Sequence, residues 1–368
     1  MSEKKIKDTK NILNDKELEF KRAKESNRAD KIIKAIKEIS SNLPNIDFHQ
    51  LPQEVSDFIP VDIIVSELFG SLQSKSITKE QSNIDLQVIK SYTTKLNYVH
   101  RLLTLNNKVA WISNFEMTTL SKINIDDKIR TVKNISVQVY DMSLTASKDM
   151  LLSLSGSTDV SLLTTKTGEI KPFLSVSPLI PLGIHVTKHN EIILGVMEEG
   201  GTYNLTDKSC RKVILFGMDG IQKQSYEYDK HKQRLFTVPI RITSNVSNDI
   251  LVINRTSDYD GRVVVLDRER HVKWTYQGHP QVNSGNKLFN PQDIVTTSVG
   301  HVIVNDFIRQ AFHVLSGEGN VLTCKVMEDM EIIYPWSLDI DTEGQLWVGC
   351  ESEDAKSCDA KLHTVKFS

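Results

Sequence analysis

A unit of roughly 42–58 residues recurs along the C-terminal three-quarters of the chain and limits the possible folds more than any other feature. Its clearest copy begins at Pro291 and contains four short apolar runs separated by turn residues. That pattern is typical of a four-stranded antiparallel sheet. A sheet repeated at this interval predicts a solenoid or a propeller.

Six copies of the unit can be aligned on their first strand and on an apolar run that follows a tight turn. Four copies open with Pro-x-x-Ile or Pro-x-x-Leu, and two lack the proline. The opening residues are Tyr98, Val139, Pro181, Pro239, Pro291 and Pro335. Six sheets predict an all-β, six-bladed β-propeller over residues 83–368.

The last copy ends at Ser368 with only three strands. An orphan strand at residues 85–90, just before the first copy, can supply the fourth. Pairing these two stretches would remove an open sheet edge. We therefore expect a propeller closed by an N-terminal strand.

Residues 1–44 are charged, lack glycine and predict an α-helical, coiled-coil-like segment with apolar residues at Ile32, Ile36, Ile39 and Leu43. Two interpretations stay open: a helix docked on its own domain or frayed in solvent, and part of a homodimeric coiled coil. Residues 45–82 predict a linker with a short helix at 61–70 that ends at Gly70.

The composition excludes several classes of protein. The net charge of −2 gives no overall attraction to nucleic acid or anionic membrane. No apolar run is long enough to span a bilayer, and no signal-peptide pattern is present, so we expect a cytoplasmic protein. The four cysteines form no C-x-x-C pair, and neither a metal nor another cofactor is expected.

The fifth unit resembles an NHL repeat, through Pro291, the run 300–304, Asp306, the run 312–315 and Gly319. The sixth unit repeats the pattern at 334–340 and 344–348. With the helical segment before it, the chain resembles the C-terminal part of tripartite-motif (TRIM) proteins of the NHL class. It lacks Cys/His clusters of RING or B-box type, so the resemblance implies no ubiquitin-ligase activity. Arg309, Ala311 and Cys350 depart from the repeat pattern.

The inner strands of such a propeller line its central channel. The alignment places one residue per blade on that ring: Arg101 (or His100), Asp141, Gly183, Arg241, Asp293 and Ser337. Calcium prefers several carboxylates, whereas this ring mixes two carboxylates with two guanidinium groups. We therefore expect the charges to pair with each other.

The chain has no G-x-S-x-G, H-E-x-x-H or phosphate-binding glycine motif, and its histidines are isolated in sequence. This predicts a protein that is not an enzyme. The main hypothesis is an interaction scaffold that recognises a protein partner through one loop face.

That face consists of the loops after the second strands and before the first strands, where arginine and aromatic side chains are typical interface anchors. Single-stranded RNA binding is an alternative, because aromatic and arginine side chains also stack on bases, although nearby acidic residues oppose it. A calcium-dependent six-bladed-propeller hydrolase using Asp141 and Asp293 is a second alternative. The predicted partner-binding residues are Arg234, Phe236, Arg255, Tyr259, Phe289, Phe307, Arg309, Tyr334 and Trp336.

Overall fold

A computed structural model describes residues 84–354 and 357–367, which form six four-stranded antiparallel sheets. The six-bladed propeller predicted from the repeats is confirmed. The helical segment predicted for residues 1–44 and the linker predicted for residues 45–82 lie outside the described residues and stay predictions, as does the homodimer. No helix among the described residues has the length and apolarity needed to cross a membrane.

The first three blades follow each other along the chain after an initial strand, β1 (Leu86–Thr93). Blade 1 contains β2 (Arg101–Asn106), β3 (Val109–Asn114), β4 (Thr119–Ile125) and β5 (Ile129–Ser136). Blade 2 contains β6 (Val139–Leu144), β7 (Met150–Leu154), β8 (Asp159–Leu163) and β9 (Ile170–Ser175). Blade 3 contains β10 (Ile180–Val186), β11 (Glu191–Met197), β12 (Arg211–Gly217) and β13 (Gln222–Tyr226).

The last three blades have the same order, and the sixth borrows a strand from the start of the described chain. Blade 4 contains β14 (Val238–Ser244), β15 (Ile250–Arg255), β16 (Gly261–Leu266) and β17 (Val272–Tyr276). Blade 5 contains β18 (Pro291–Thr296), β19 (Val302–Asp306), β20 (Ala311–Leu315) and β21 (Val321–Val326), followed by a 3-10 turn at Glu328–Met330. Blade 6 contains β22 (Pro335–Ile340), β23 (Leu346–Cys350), β24 (Lys361–Phe367) and β1.

The ring closes where β1 pairs with β24, from Leu86 opposite Phe367 to Thr93 opposite Lys361. The predicted closure by an N-terminal strand is thus confirmed. Leu86 is fully buried in the apolar cluster between blades 5 and 6. Because β1 covers the outer edge of β24, the two ends of the described chain hold each other in place.

The core lies between neighbouring blades and not inside any single sheet. Strands such as β15, β19 and β20 are buried along their whole length, because a blade packs on each side of them. This double burial explains why they read as continuous apolar runs. The outermost strands, such as β13 and β17, are largely exposed.

Glycines allow the tight turns between third and fourth strands. Gly168, Gly220 and Gly319, which the sequence places in these turns, have φ values of 80°, 77° and 82°. A side chain is strained in this region of backbone conformation. At Gly319, an added Cβ would also lie 2.6 Å from the Trp274 ring of blade 4.

Candidate active site in the central channel

The axis of the propeller is crossed by an ion-pair network of Arg101, Asp141, Arg241 and Asp293. Arg241 donates to Asp293 through Nη2 at 2.6 Å and through Nε at 3.1 Å, and its Nη1 pairs with Asp141. Arg101 Nε lies 3.6 Å from the same Asp141 carboxylate. Burial lowers the pKa of Arg241 to about 10, so its guanidinium is still charged at neutral pH. The charge pairing expected on the ring is confirmed.

Each of the two aspartates also accepts a backbone hydrogen bond from the next blade. Asp141 Oδ2 accepts from the Ile184 amide of blade 3 at 2.9 Å, and Asp293 Oδ2 accepts from the Leu338 amide of blade 6 at 2.9 Å. Each carboxylate also accepts from the amide of the residue that follows it. The carboxylate oxygens are therefore used by protein donors.

This donor set does not suit calcium, which needs six to eight free oxygens. The guanidinium groups of Arg101 and Arg241 already pair with the two carboxylates and would repel a cation. Within residues 84–354 and 357–367, no three His, Cys, Asp or Glu side chains come together as metal ligands.

Gly183 of blade 3 occupies the ring position between Asp141 of blade 2 and Arg241 of blade 4. A Cβ at this position would lie 2.9 Å from both Arg241 Cα and the Ile240 carbonyl. Blade 3 therefore approaches blade 4 more closely than any side chain would permit. This close approach brings the backbone of Arg241 next to blade 3, and the Arg241 side chain pairs with Asp141 of blade 2.

A polar pocket of about 380 Å³ lies on one side of the ion-pair network. Its floor includes Asp141, Arg241 and Asp293, and its walls come from the second halves of the inner strands. Its rim consists of the turns between first and second strands, where Lys188 and Ser298 are exposed. The volume falls in the range typical of small-molecule sites.

A serine–histidine pair lies in the wall of this polar pocket. His185 Nε2 of β10 and Ser244 Oγ of β14 are 2.9 Å apart. Thr296 Oγ1 donates to the Ser244 carbonyl at 2.9 Å and fixes the end of β14. Hydrogen bonding between a hydroxyl and a neutral imidazole is the basic arrangement of an activated nucleophile.

The environment keeps His185 neutral. Burial, together with the nearby Arg268 guanidinium, lowers the pKa of His185 to about 4. At neutral pH the ring is neutral, so the tautomer with its proton on Nδ1 can accept a hydrogen bond from the Ser244 hydroxyl at Nε2. The same burial and the same guanidinium disfavour the imidazolium, so His185 is a weaker base than an exposed histidine. Lys188 Nζ donates to the Val246 carbonyl at 2.8 Å and retains further protons for a substrate at the rim.

Asp339 is a further titratable group in the polar pocket. Its Oδ2 accepts from the Thr104 amide at 2.5 Å and from Thr104 Oγ1 at 2.7 Å. Burial raises the pKa of Asp339 to about 6, because neither bond fully offsets the loss of water and Asp293 adds like charge. The group therefore changes charge near physiological pH.

The opposite end of the channel carries a group of rings that we call the aromatic mouth. Phe307 lies 4.7 Å from Trp336 and 5.3 Å from Tyr334, between ring centroids. Trp336 also lies 5.3 Å from Tyr98. The full set of the aromatic mouth is Tyr98, His100, Phe115, Tyr140, Phe307, Tyr334 and Trp336.

Three of the predicted partner-binding residues, Phe307, Tyr334 and Trp336, meet in the aromatic mouth. The structure places Phe236 and Phe289 elsewhere, each 1% exposed. The prediction that they contact a partner is corrected, because both fill apolar clusters between blades.

The remaining predicted residues lie on the same loop face but not in one group. Arg234 pairs with Glu227 at 3.2 Å and stacks on Tyr228. Arg255 is buried and donates to the carbonyls of Ser257 and Asp258. Tyr259 is 67% exposed, and Arg309 is half-buried, with its amide donating to Asp306 at 3.2 Å.

Sequence reasoning missed the His185–Ser244 pair. The two residues are 59 positions apart on different blades, so no local motif contains them. The repeat alignment could have found them, since both lie near the end of an inner strand and the two blades are adjacent.

Comparisons with known proteins identify the fold but no family. The sequence matches no model of a known protein family, and no curated protein matches it. The PQQ-bound aldose sugar dehydrogenase of Streptomyces coelicolor is 11% identical, with 77% of this chain and 98% of that chain aligned and a TM-score of 0.57. A luciferin-regenerating enzyme is 12% identical, with 77% and 95% aligned and a TM-score of 0.56.

A protein provisionally assigned as a gluconolactonase is 14% identical, with 78% of this chain and 93% of that chain aligned and a TM-score of 0.55. At these identities the similarity shows the fold alone. The expectation that the chain is not an enzyme is nevertheless contradicted, because the luciferin-regenerating enzyme and the aldose sugar dehydrogenase, which share its fold, are enzymes. The absence of local sequence motifs did not exclude an active site, because active-site residues can come from different blades.

Proposed function

We propose that this propeller is a hydrolase that acts on a small ester or lactone in the polar pocket. The observation that carries the proposal is the 2.9 Å contact between Ser244 Oγ and His185 Nε2 in a solvent-accessible pocket. The fold shared with propeller enzymes supports it. The calcium-dependent form of this reaction is not proposed, because the two aspartates are used by arginines and backbone amides.

Ser244 and His185 divide the reaction into two steps. Ser244 Oγ attacks the carbonyl carbon while its proton moves to His185 Nε2, and the ester bond breaks as the histidine returns that proton to the leaving oxygen. Water then attacks the acyl-serine and gives up a proton to the same nitrogen. Cleavage of the acyl bond regenerates the serine hydroxyl and releases the acid.

The pocket itself indicates the substrate class. A volume of about 380 Å³ suits a small molecule and excludes a folded partner from the site. The exposed Lys188 at the rim favours a substrate with a carboxylate or another anionic group. The substrate class is therefore a small, anionic ester or lactone.

Ester hydrolysis by the full-length protein tests the proposal. We expect turnover of the anionic ester p-nitrophenyl hydrogen succinate in the presence of EDTA, faster than that of neutral p-nitrophenyl acetate. We also expect labelling of Ser244 by a fluorophosphonate, read by peptide mass spectrometry. Ser244→Ala and His185→Gln should each lower kcat by at least about a hundredfold. Ser298→Ala is the matched control, since Ser298 lines the same pocket and is exposed.

The pH profile provides a second test. Protonated His185 cannot accept the serine proton, so kcat/KM should fall as the pH decreases through about 4. No turnover together with no labelling, or an unchanged Ser244→Ala variant, would refute the proposal.

A further inference from the structure

We infer that the aromatic mouth binds a segment of a protein partner that presents arginine or lysine side chains. This site is separate from the polar pocket, because the ion-pair network lies across the channel between them. The inference does not depend on the proposed hydrolase activity.

The rings of the aromatic mouth form a connected platform around one end of the channel. Trp336 contacts His100 at 5.9 Å, His100 contacts Phe115 at 5.3 Å, and Phe115 contacts Tyr140 at 6.5 Å. Phe115 and Trp336 are partly exposed, and Tyr334 is 38% exposed. Aromatic faces that remain open to solvent attract cations through the ring quadrupole.

The charges on this face are arranged to favour a cation. The described turns between second and third strands, at residues 115–118, 155–158, 198–210, 256–260, 307–310, 351–354 and 357–360, contain ten Asp or Glu and two Lys or Arg. The connections between blades on the same face, at residues 94–100, 137–138, 176–179, 227–237, 277–290 and 327–334, contain five of each sign, so the face is acidic overall. Glu116 and Asp258 are exposed, and the Glu351 carboxylate accepts from Trp336 Nε1 at 2.9 Å.

The arginines near the mouth do not cancel this acidic character. Arg255 is turned inward, where it donates to the Ser257 and Asp258 carbonyls. Arg101 belongs to the ion-pair network, which holds two arginines and two aspartates and is neutral overall. Arg309, in the turn beside Phe307, is half-buried and is outnumbered by the acidic residues of these turns. The net charge of this face is therefore negative.

His100 supplies an acceptor inside the platform. It is 8% exposed, and the described part of the chain offers its Nδ1 no hydrogen-bond partner. Its other nitrogen bonds the Val139 backbone, and burial keeps the pKa of His100 well below its ordinary value. The neutral ring therefore adds no positive charge to the aromatic mouth, and its Nδ1 is an acceptor buried beneath the exposed rings.

A basic protein segment fits these features better than RNA does. Arginine and lysine bring both the N–H donor and the positive charge, whereas phosphates would meet the exposed carboxylates. The rings and carboxylates together match the chemistry that recognises basic side chains.

Fluorescence anisotropy with the full-length protein tests this inference. The probe is a fluorescein-labelled peptide of four Gly-Arg repeats, compared with Gly-Glu and Gly-Ser peptides and with oligouridylate. We expect the basic peptide alone to bind, and more weakly at high salt. Trp336→Leu should weaken binding about threefold to thirtyfold, the range of a cation–π contact.

Asp258→Lys provides a variant that should fold normally, because its side chain is exposed, and it should also weaken binding. Glu269→Lys is the matched control, since Glu269 is equally a surface acid but lies in the turn between β16 and β17. No binding of the basic peptide, equal binding of the acidic one, preferred binding of oligouridylate, or affinity unchanged in both test variants would overturn the inference.

Discussion

Substitution of Arg241 tests most directly how much the ion-pair network at the axis contributes to the stability of the propeller. Replacing it with methionine keeps an unbranched side chain of similar length but removes the charge that Asp141 and Asp293 share. These aspartates are 2% and 4% exposed, so water cannot replace the lost partner. Removing one member of a buried ion pair costs about 3–5 kcal/mol of unfolding free energy.

For a domain of this size, the cost corresponds to a Tm decrease of roughly 6–20 °C, at about 2–4 °C per kcal/mol. Without Arg241, a buried carboxylate keeps its negative charge but loses a partner. Acid relieves this cost by protonating the carboxylate, so the deficit shrinks as the pH falls and grows as the pH rises.

We therefore expect the deficit of Arg241→Met to be larger at pH 8 than at pH 4, as measured by scanning calorimetry and urea denaturation. Adding Asp293→Asn to the variant should recover part of the loss, since the orphaned charge is removed. Arg234→Met is the matched control. It breaks a more exposed pair with Glu227 and should cost under about 1 kcal/mol. A deficit for Arg241→Met as small as this control, or independent of pH, would refute the reasoning.

Three further predictions concern other parts of the ring. Asp339→Asn should raise the Tm relative to wild type at pH 8 and leave it unchanged at pH 4, because burial raises the pKa of Asp339 to about 6 and the charged form destabilises the fold above that value; equal shifts at both pH values would contradict this. Gly183→Val should lower stability by about 1–3 kcal/mol in urea denaturation, since the new side chain meets Arg241 Cα and the Ile240 carbonyl; a neutral effect would show that blades 3 and 4 can separate freely. Leu86→Asp should lower the Tm more than Ile89→Asp, because Leu86 is fully buried at the closure and Ile89 is 54% exposed; equal losses would count against closure by β1.

The sequence contained enough information to predict most of the propeller. Its apolar runs and turn glycines repeat at each blade, because every blade meets the same packing and the same hairpin geometry. The missing fourth strand of the last repeat identified the closure of β1 on β24. The ring residues Arg101, Asp141, Arg241 and Asp293 followed from the same alignment.

The sequence did not show which aromatic side chains of the loops are exposed. Phe236 and Phe307 both occupy loops at the same end of the propeller. Only Phe307 is presented at the aromatic mouth, whereas Phe236 fills the cluster between blades 3 and 4. A loop phenylalanine has the same local pattern in both situations, so burial depends on the neighbouring blade.

By itself, the sequence determined the number of blades, their order and the strand that closes them, because these depend on local periodicity and on a strand count. Only the tertiary structure decided which side chains meet between blades. Ser244 and His185 share no local motif, yet their strands lie side by side in the ring. Packing of adjacent blades creates that contact, and contacts between distant positions leave no periodic signal in a single sequence.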